Sequence, residues 1–187
     1  TQWDKNQPVR NGEGIGHIEK IDSRKMIPNW NTISYHDSDW NYATEIGLQP
    51  VAPWTQRLRS DLTRVKEKII TPKSITQPSK GKYIIDLGKI YAGRFNITFE
   101  GGNSGDTIKM IGGFVLNNDG TVSKKINQQT DLHFFFIHNG KKAIFEPNVY
   151  LGLRYLQVEN SPNVLTKNNV HFIERHYELT NEPATFK

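Results

Sequence analysis

The chain has 187 residues, no cysteine and a formal charge of +5. Its length suits one ordinary domain with a tail or two small domains, and a 35% hydrophobic content supplies a packed core, which excludes simple disorder. The missing cysteines exclude a disulfide framework and a thiolate zinc site. No apolar run approaches the ~20 residues of a membrane-spanning helix, and the dispersed Lys and Arg form no arginine-rich run or helical stripe of the kind that marks nucleic-acid binding.

The polar residues lean towards Asn, Thr, Lys and Gly, and Ala is scarce, a balance that suits strands and turns. The start, Thr1-Gln2-Trp3-Asp4, is neither an initiator Met nor a signal peptide. It is expected to be a cut or processed end, which leaves the compartment, cytoplasmic or exported, undetermined.

Residues 1–30 carry Pro8, Gly12, Gly14, Gly16 and Pro28 without a period. The glycines lack the spacing, the preceding strand and the following helix of a phosphate loop. Turn formers precede Trp40, and Pro50 and Pro53 end an element. Leu58, Leu62 and Val65 fall at helical spacing, whereas Val65 onward has strand character. Pro72 and Pro78 flank a loop.

From Tyr83 the strand signal is clear. Tyr83–Leu87 is a short β-rich run ended by Gly88. Arg94–Glu100 alternates strictly, with Phe95, Ile97 and Phe99 on one face. Gly101–Gly105 is a turn, followed by a strand from Asp106 to Ile111 with Ile108 and Met110 inward. Asn117-Asn-Asp-Gly120 is a strong turn signal. Asp131–His138 is strongly β-prone, and Asn139-Gly140 predicts a hairpin into Ala143–Phe145. Arg154–Glu159 alternates with Leu156 and Val158 inward, and Val170–Tyr177 is the last strand. Short strands with turn signals every 8–12 residues predict an all-β antiparallel sandwich or barrel.

Candidate chemistry is thin. His133/His138 and His171/His176 are each five apart, so a strand points the members of each pair to opposite faces, and no metal site is expected. No GxSxG elbow is present. Glycoside cleavage needs two suitably spaced carboxylates, and spacing alone selects none; Asp37 and Asp39 are expected to cap backbone in a turn-rich segment. In His133–Ile137, Phe134 and Phe136 face one way and Phe135 the other, which predicts core filling on both faces. Trp40 and Trp54, among loop residues, are the candidate sugar-stacking side chains, with a core-edge role as the alternative.

Several segments, in order, resemble the β-sandwich domain that precedes the catalytic barrel of bacterial α-L-rhamnosidases. These are Tyr83-Ile-Ile-Asp-Leu-Gly88 with Ala92-Gly93-Arg94-Phe95; Gly105–Met110 with Asn118-Asp-Gly-Thr-Val122; Thr130-Asp131; and Phe145-Glu-Pro147 with Gly152-Leu-Arg-Tyr155, where Leu153 replaces the usual Phe. Gly113 stands where the pattern has an acid. Upstream, Ser38-Asp-Trp40 and the Pro50–Trp54 stretch resemble the exit from an earlier jelly-roll domain.

The resemblance implies a jelly-roll or concanavalin-like sandwich over 66–180, a tail of a preceding jelly-roll domain or linker over 1–65, and the start of a linker to a catalytic barrel over 181–187. It implies a bacterial parent that is an inverting glycoside hydrolase, with its carboxylates in that downstream barrel. The chain itself is then accessory and non-catalytic, without cofactor, and possible partners are the barrel and rhamnose-containing glycans or glycosides. An independent carbohydrate-binding module and a structural or adhesive surface domain are the alternatives. Asp86, Gly88, Gly93, Gly152, Arg154 and Tyr155 are the residues to which the resemblance gives structural roles. By period two Arg154 falls on the core-side face with Leu156 and Val158, where it needs an acceptor; the alternative is a place at the strand end, where its head reaches water. Asp86, the single acid of Tyr83–Leu87, is the expected partner.

Overall fold

The computed structural model describes residues 18–48, 52, 55–56, 64–124, 131–149 and 151–178. Trp54 and the expected linker 181–187 lie outside these residues. The chain divides into two units: Thr1–Met26 with Lys66–His176, and Ile27–Val65 with Tyr177–Lys187.

The first unit is built of strands. They are β1 (Glu19–Asp22), β2 (Val65–Ile70), β3 (Ser74–Ser79), β4 (Lys82–Phe99), β5 (Ser104–Gly113), β6 (His133–Asn139), β7 (Ala143–Phe145), β8 (Leu151–Glu159) and β9 (Val170–Tyr177). Among the described residues the one helical element is a single 3-10 turn, Ser23–Lys25, whose first turn is capped by the Asp22 carboxylate. The main strand path runs β1-β6-β5-β8-β4-β9-β2, with β3 and β7 also paired to β4. The β1–β6 pair is parallel; the other strand pairs whose register is resolved are antiparallel.

The expected separate strands Tyr83–Leu87 and Arg94–Glu100 are one strand, β4. Its first half lies between β3 and β8, and its second half pairs with β9 and β7. The register with β8 slips between Asp86 and Tyr91, where β4 carries extra residues and Gly88 takes φ +89°. A glycine there ends no strand. It allows a bulge, a local bend by which a strand turns from one layer towards the other.

A hairpin between β6 and β7 does not form. Gly140 does turn at φ +77°, but β7 pairs with β4, through Ile97↔Phe145 to Phe99↔Ala143. The turn instead carries the chain across the sandwich. Phe145 then packs edge-on to Phe134 and Phe136 of β6, at centroid distances of 5.9 and 5.8 Å. Phe99 of β4 stacks on Phe136 at 5.7 Å. These cross-layer contacts define the core, which also buries Ile85, Ile97, Ile108, Met110, Leu156, Val158 and Phe172.

Phe135 corrects the expectation of core filling on both faces of β6. It is half-buried on the outer face and stacks on His133. His138 shares the inner face with Phe136 and is fully buried. The Gly140 N–H donates to its Nδ1 at 3.0 Å, which leaves the ring proton on Nε2.

The turn at Asn117–Gly120 forms as expected. Asn117 and Thr121 bond through their main chains, and Leu116 bridges Val122. The ribbon folds back over the outer face of β5 and β8, where the Val122 N–H donates to Gln157 Oε1 and Gln157 becomes buried. A Cβ at Gly113 would lie 2.4 Å from Val122 Cγ1 and 3.0 Å from the Ser123 carbonyl. The acid of the family pattern therefore has no room while the ribbon sits there.

Candidate functional site

Two polar clusters among the described residues of the sandwich centre on arginines, Arg94 and Arg154. The first lies on the outer face of the second half of β4. Core residues Phe95, Ile97 and Phe99 alternate with Arg94, Asn96 and Thr98, so period two alone places the guanidinium of Arg94 outward. Arg94 Nε donates to Glu146 Oε1 at 2.7 Å, and Nη1 donates to Glu67 Oε1 at 2.8 Å. Asn96 Nδ2 donates to Glu146 Oε2 at 2.6 Å. Arg175 Nε lies 3.3 Å from Glu67 Oε1. Glu67, Arg94, Glu146 and Arg175, with Pro147 and Asn148, line an open polar cleft of about 290 Å³.

The Arg94 hydrogen bond holds the Glu67 carboxyl below its ordinary range. Conversely, the Glu67 bond, and then the Glu146 bond, raises Arg94 against the opposing effect of burial. Glu67 is thereby kept ionised, and Glu146 commits both oxygens to Arg94 and Asn96. A glycosidase acid needs a carboxyl kept protonated near neutrality. The environment of Glu67 does the opposite. The sequence reading did not single out Glu67, Arg94 and Glu146 as a group. Their strands are far apart in sequence, and only the outward phase of Arg94 was visible.

The second lies at the β4 bulge. Arg154 Nε donates to Asp86 Oδ1 at 2.9 Å and Nη2 to Oδ2 at 3.0 Å, a two-pronged pair. The Gly88 N–H donates to the same carboxylate at 2.6 Å, so the bulge itself presents a donor to Asp86. The guanidinium also lies over the Tyr155 ring at 4.7 Å. The expected partner is in place, but the setting is that of the alternative, with the Arg154 head reaching water. Strand β8 slips phase between buried Leu153 and buried Leu156, so Arg154 leaves the core-side face and its side chain is 33% exposed. Gln157, assigned to the outward face, is covered by the ribbon.

Of the glycines, Gly93 sits against the β9 backbone, whereas a Cβ at Gly152 would meet nothing within 4 Å. The structure gives no packing reason for glycine at 152. Trp40 is 46% exposed and tilted against Tyr35 at 5.5 Å. Among the described residues no group of three or more His, Asp or Glu is gathered to hold a metal.

The hydrogen bonds from Arg154, opposed by burial and helped by the Gly88 N–H, depress the Asp86 pKa below its ordinary 3.8. A depressed carboxylate stabilises the fold above its unfolded pKa and loses that contribution as pH falls through the folded one. The melting-temperature gap between wild type and Asp86→Asn is therefore expected to be full above pH 4 and to shrink as the pH drops below it. A gap that stays constant down to pH 2 contradicts the pairing. Arg154→Lys, which lacks the fork, is expected to lower the melting temperature nearly as much as Arg154→Ala.

A family model, the bacterial alpha-L-rhamnosidase concanavalin-like domain, matches residues 76–176, more than half of the chain. The chain belongs to this family. The alpha-L-rhamnosidase of Streptomyces avermitilis is 22% identical over 171 residues, which cover 90% of this chain and 16% of that protein. The structure of alpha-L-rhamnosidase from Dictyoglumus thermophilum matches with a TM-score of 0.68 at 27% identity, over 86% of this chain and 18% of that one. The native rhamnosidase of Aspergillus terreus matches in fold, with a TM-score of 0.70 at 23% identity, over 92% and 19%. A concanavalin-like rhamnosidase domain thus occupies a small part of much longer relatives, and the curled, nearly all-strand sheet agrees with the expected sandwich class.

Proposed function

We propose that the chain is the accessory, non-catalytic sandwich of an α-L-rhamnosidase-like glycoside hydrolase, packing against a catalytic barrel of the same polypeptide and bordering its substrate cleft. The observation that carries this is the 16% share of the curated rhamnosidase that the chain covers. Supporting it, the main carboxylate cluster of the sandwich is tied up by Arg94. The isolated chain is expected not to hydrolyse aryl α-L-rhamnosides, whereas the parent polypeptide does. Turnover by the repurified chain above the uncatalysed rate, or a parent that keeps its activity and melting temperature without residues 66–176, overturns this reading.

Binding-module and accessory roles separate by affinity. The Arg94 cleft has no aromatic platform among its lining residues. Calorimetry with rhamnose or a methyl rhamnoside is therefore expected to give a Kd weaker than about 1 mM, or about 4 kcal/mol. Micromolar binding would select the independent module instead.

A further inference from the structure

Strand β1 stands apart from the rest of the sandwich in sequence. The family match begins at residue 76, whereas β1 covers Glu19–Asp22. Between β1 and β2 the chain passes through residues of the other unit, from Ile27 to Val65. Yet β1 is seated in a built site. It lies at one end of the strand path and pairs in parallel with β6, from Glu19↔Phe134 to Asp22↔Ile137. Ile21 belongs to the core cluster. Glu19, of the same parity, is as deeply buried as Ile21. Its two carboxylate oxygens accept from the Asn148 and Val149 N–H groups, at 3.0 and 3.3 Å. Just beyond β1, Ser23 Oγ donates to the Ile137 carbonyl at 2.8 Å.

A strand added to a sheet edge gains affinity from its main chain and specificity from the places that receive its alternate side chains. Here the edge is β6, the core receives Ile21, and the two amides receive a carboxylate. Burying a carboxylate is costly without donors, and donors fixed by the backbone reward that one charge at that one place. The strand itself is slight. It has four residues and is paired to β6 alone among the described strands, whereas β4 has 18 residues and pairs with β3, β7, β8 and β9. Its release breaks little of the sheet, which is the condition for a local opening short of global unfolding.

We infer that the β6 edge and the Asn148–Val149 amides form a strand-binding site for an extended segment with a carboxylate two residues before a core-bound Ile, and that residues 18–25 occupy it as an exchangeable strand. A free peptide of the same sequence is then a ligand for the site. The tether gives the resident strand the advantage of effective concentration, so the peptide enters once the resident is weakened. The inference goes beyond the accessory role proposed above and does not depend on it.

The test uses the full 187-residue chain and a fluorophore-labelled peptide of the sequence Ile18–Lys25, followed by anisotropy. The Ile21→Asp chain, whose resident strand no longer fits the core, is expected to bind the peptide saturably and at least about tenfold more tightly than the wild-type chain does. A peptide carrying Glu19→Lys is expected to lose at least about tenfold in affinity for the same variant. Binding to neither chain, equal binding to both, or equal binding of the two peptides overturns the inference. Where Ile21→Asp fails to fold, the Glu19→Gln chain takes its place. It keeps Ile21 and gives up only the charge at the two amides, and it is expected to bind the peptide more tightly than wild type. Equality of the two overturns the inference as well. Hydrogen exchange reads the opening in the unaltered chain. The hydrogen-bonded β1 amides are expected to exchange at least about tenfold faster than those of the β4–β8 ladder. A common rate for both would mean that β1 leaves only when the whole sandwich unfolds, and the site would then be no exchange site.

Discussion

Gly93→Ala is expected to leave the sandwich largely unfolded at room temperature. Gly93 lies on the core-facing parity of β4 with Phe95 and Ile97, opposite Glu174 of β9. A Cβ there would lie 2.0 Å from the Ile173 carbonyl oxygen and 2.7 Å from Phe172 Cε1. A flexible side chain in that place would swing aside. A strand backbone moves only with its ladder, and here β9 is bonded to β4 from Gly93 to Ile97. Relief therefore requires breaking part of that pairing and lifting Phe172, which is fully buried against Phe95 at 5.0 Å. Losses above about 4 kcal/mol belong to the small class in which backbone or core geometry is made impossible, against a typical total of about 5–15 kcal/mol. Urea titration followed by tryptophan-independent circular dichroism reads the loss. Gly152→Ala, on the neighbouring strand with open space around it, is the matched control and is expected to melt like wild type. A Gly93→Ala variant within about 1 kcal/mol of wild type would mean that β4 and β9 are not held at this distance.

The strands from Tyr83 onward were legible because their apolar residues alternate within single strands, and that signal needs no knowledge of partners. Phe95, Ile97, Phe99, Ile108 and Met110 are buried as the period requires. The missed features all depend on which strand meets which. Tyr83–Leu87 and Arg94–Glu100 became one strand because the intervening Gly88 bends a ladder that β8 maintains on both sides. Asn139-Gly140 looks locally like a hairpin turn, and nothing in it reveals that Ala143–Phe145 has its partner across the core. The phase of β8 was misjudged for the same reason: its slip at Arg154 answers the bulge in β4, which lies 68 residues away in sequence.

The polar clusters divide along the same line. Asp86 and Arg154 were visible as a pair because Asp86 is the single acid of Tyr83–Leu87, period two put Arg154 on the core-side face, and the resemblance carried both. Glu67, Arg94, Asn96 and Glu146 come from two strands and a loop, and their chemistry exists only through the sheet order β2-β9-β4 with β7 on the other side. Gly113 shows how a departure from a family pattern acquires meaning. The sequence marks a missing acid. The structure shows the ribbon Leu116–Val122 lying against that position, so the vacant space is already filled by Val122.

Phe136→Ala is expected to be the most damaging side-chain truncation in the core. Phe136 is fully buried at the centre of β6, between Ile108 on β5 and Ile21 on β1. Its ring stacks on Phe99 and meets Phe145 and His138 edge-on, at 5.7, 5.8 and 6.3 Å. These partners sit on the opposite layer or farther along the same strand, so each is held by its own ladder and cannot follow the lost ring inward. A site that collapses poorly is at the upper end of the Phe→Ala range, about 3–5 kcal/mol. The ring edge of His138 loses its apolar wall as well, which leaves a polar group facing a void. Phe135→Ala, one residue away and half-buried against His133, separates this from mere strand propensity and is expected to cost less than about half as much. Equal losses for the two variants would mean that β6 buries both faces, and that the sandwich has a third layer over its outer side.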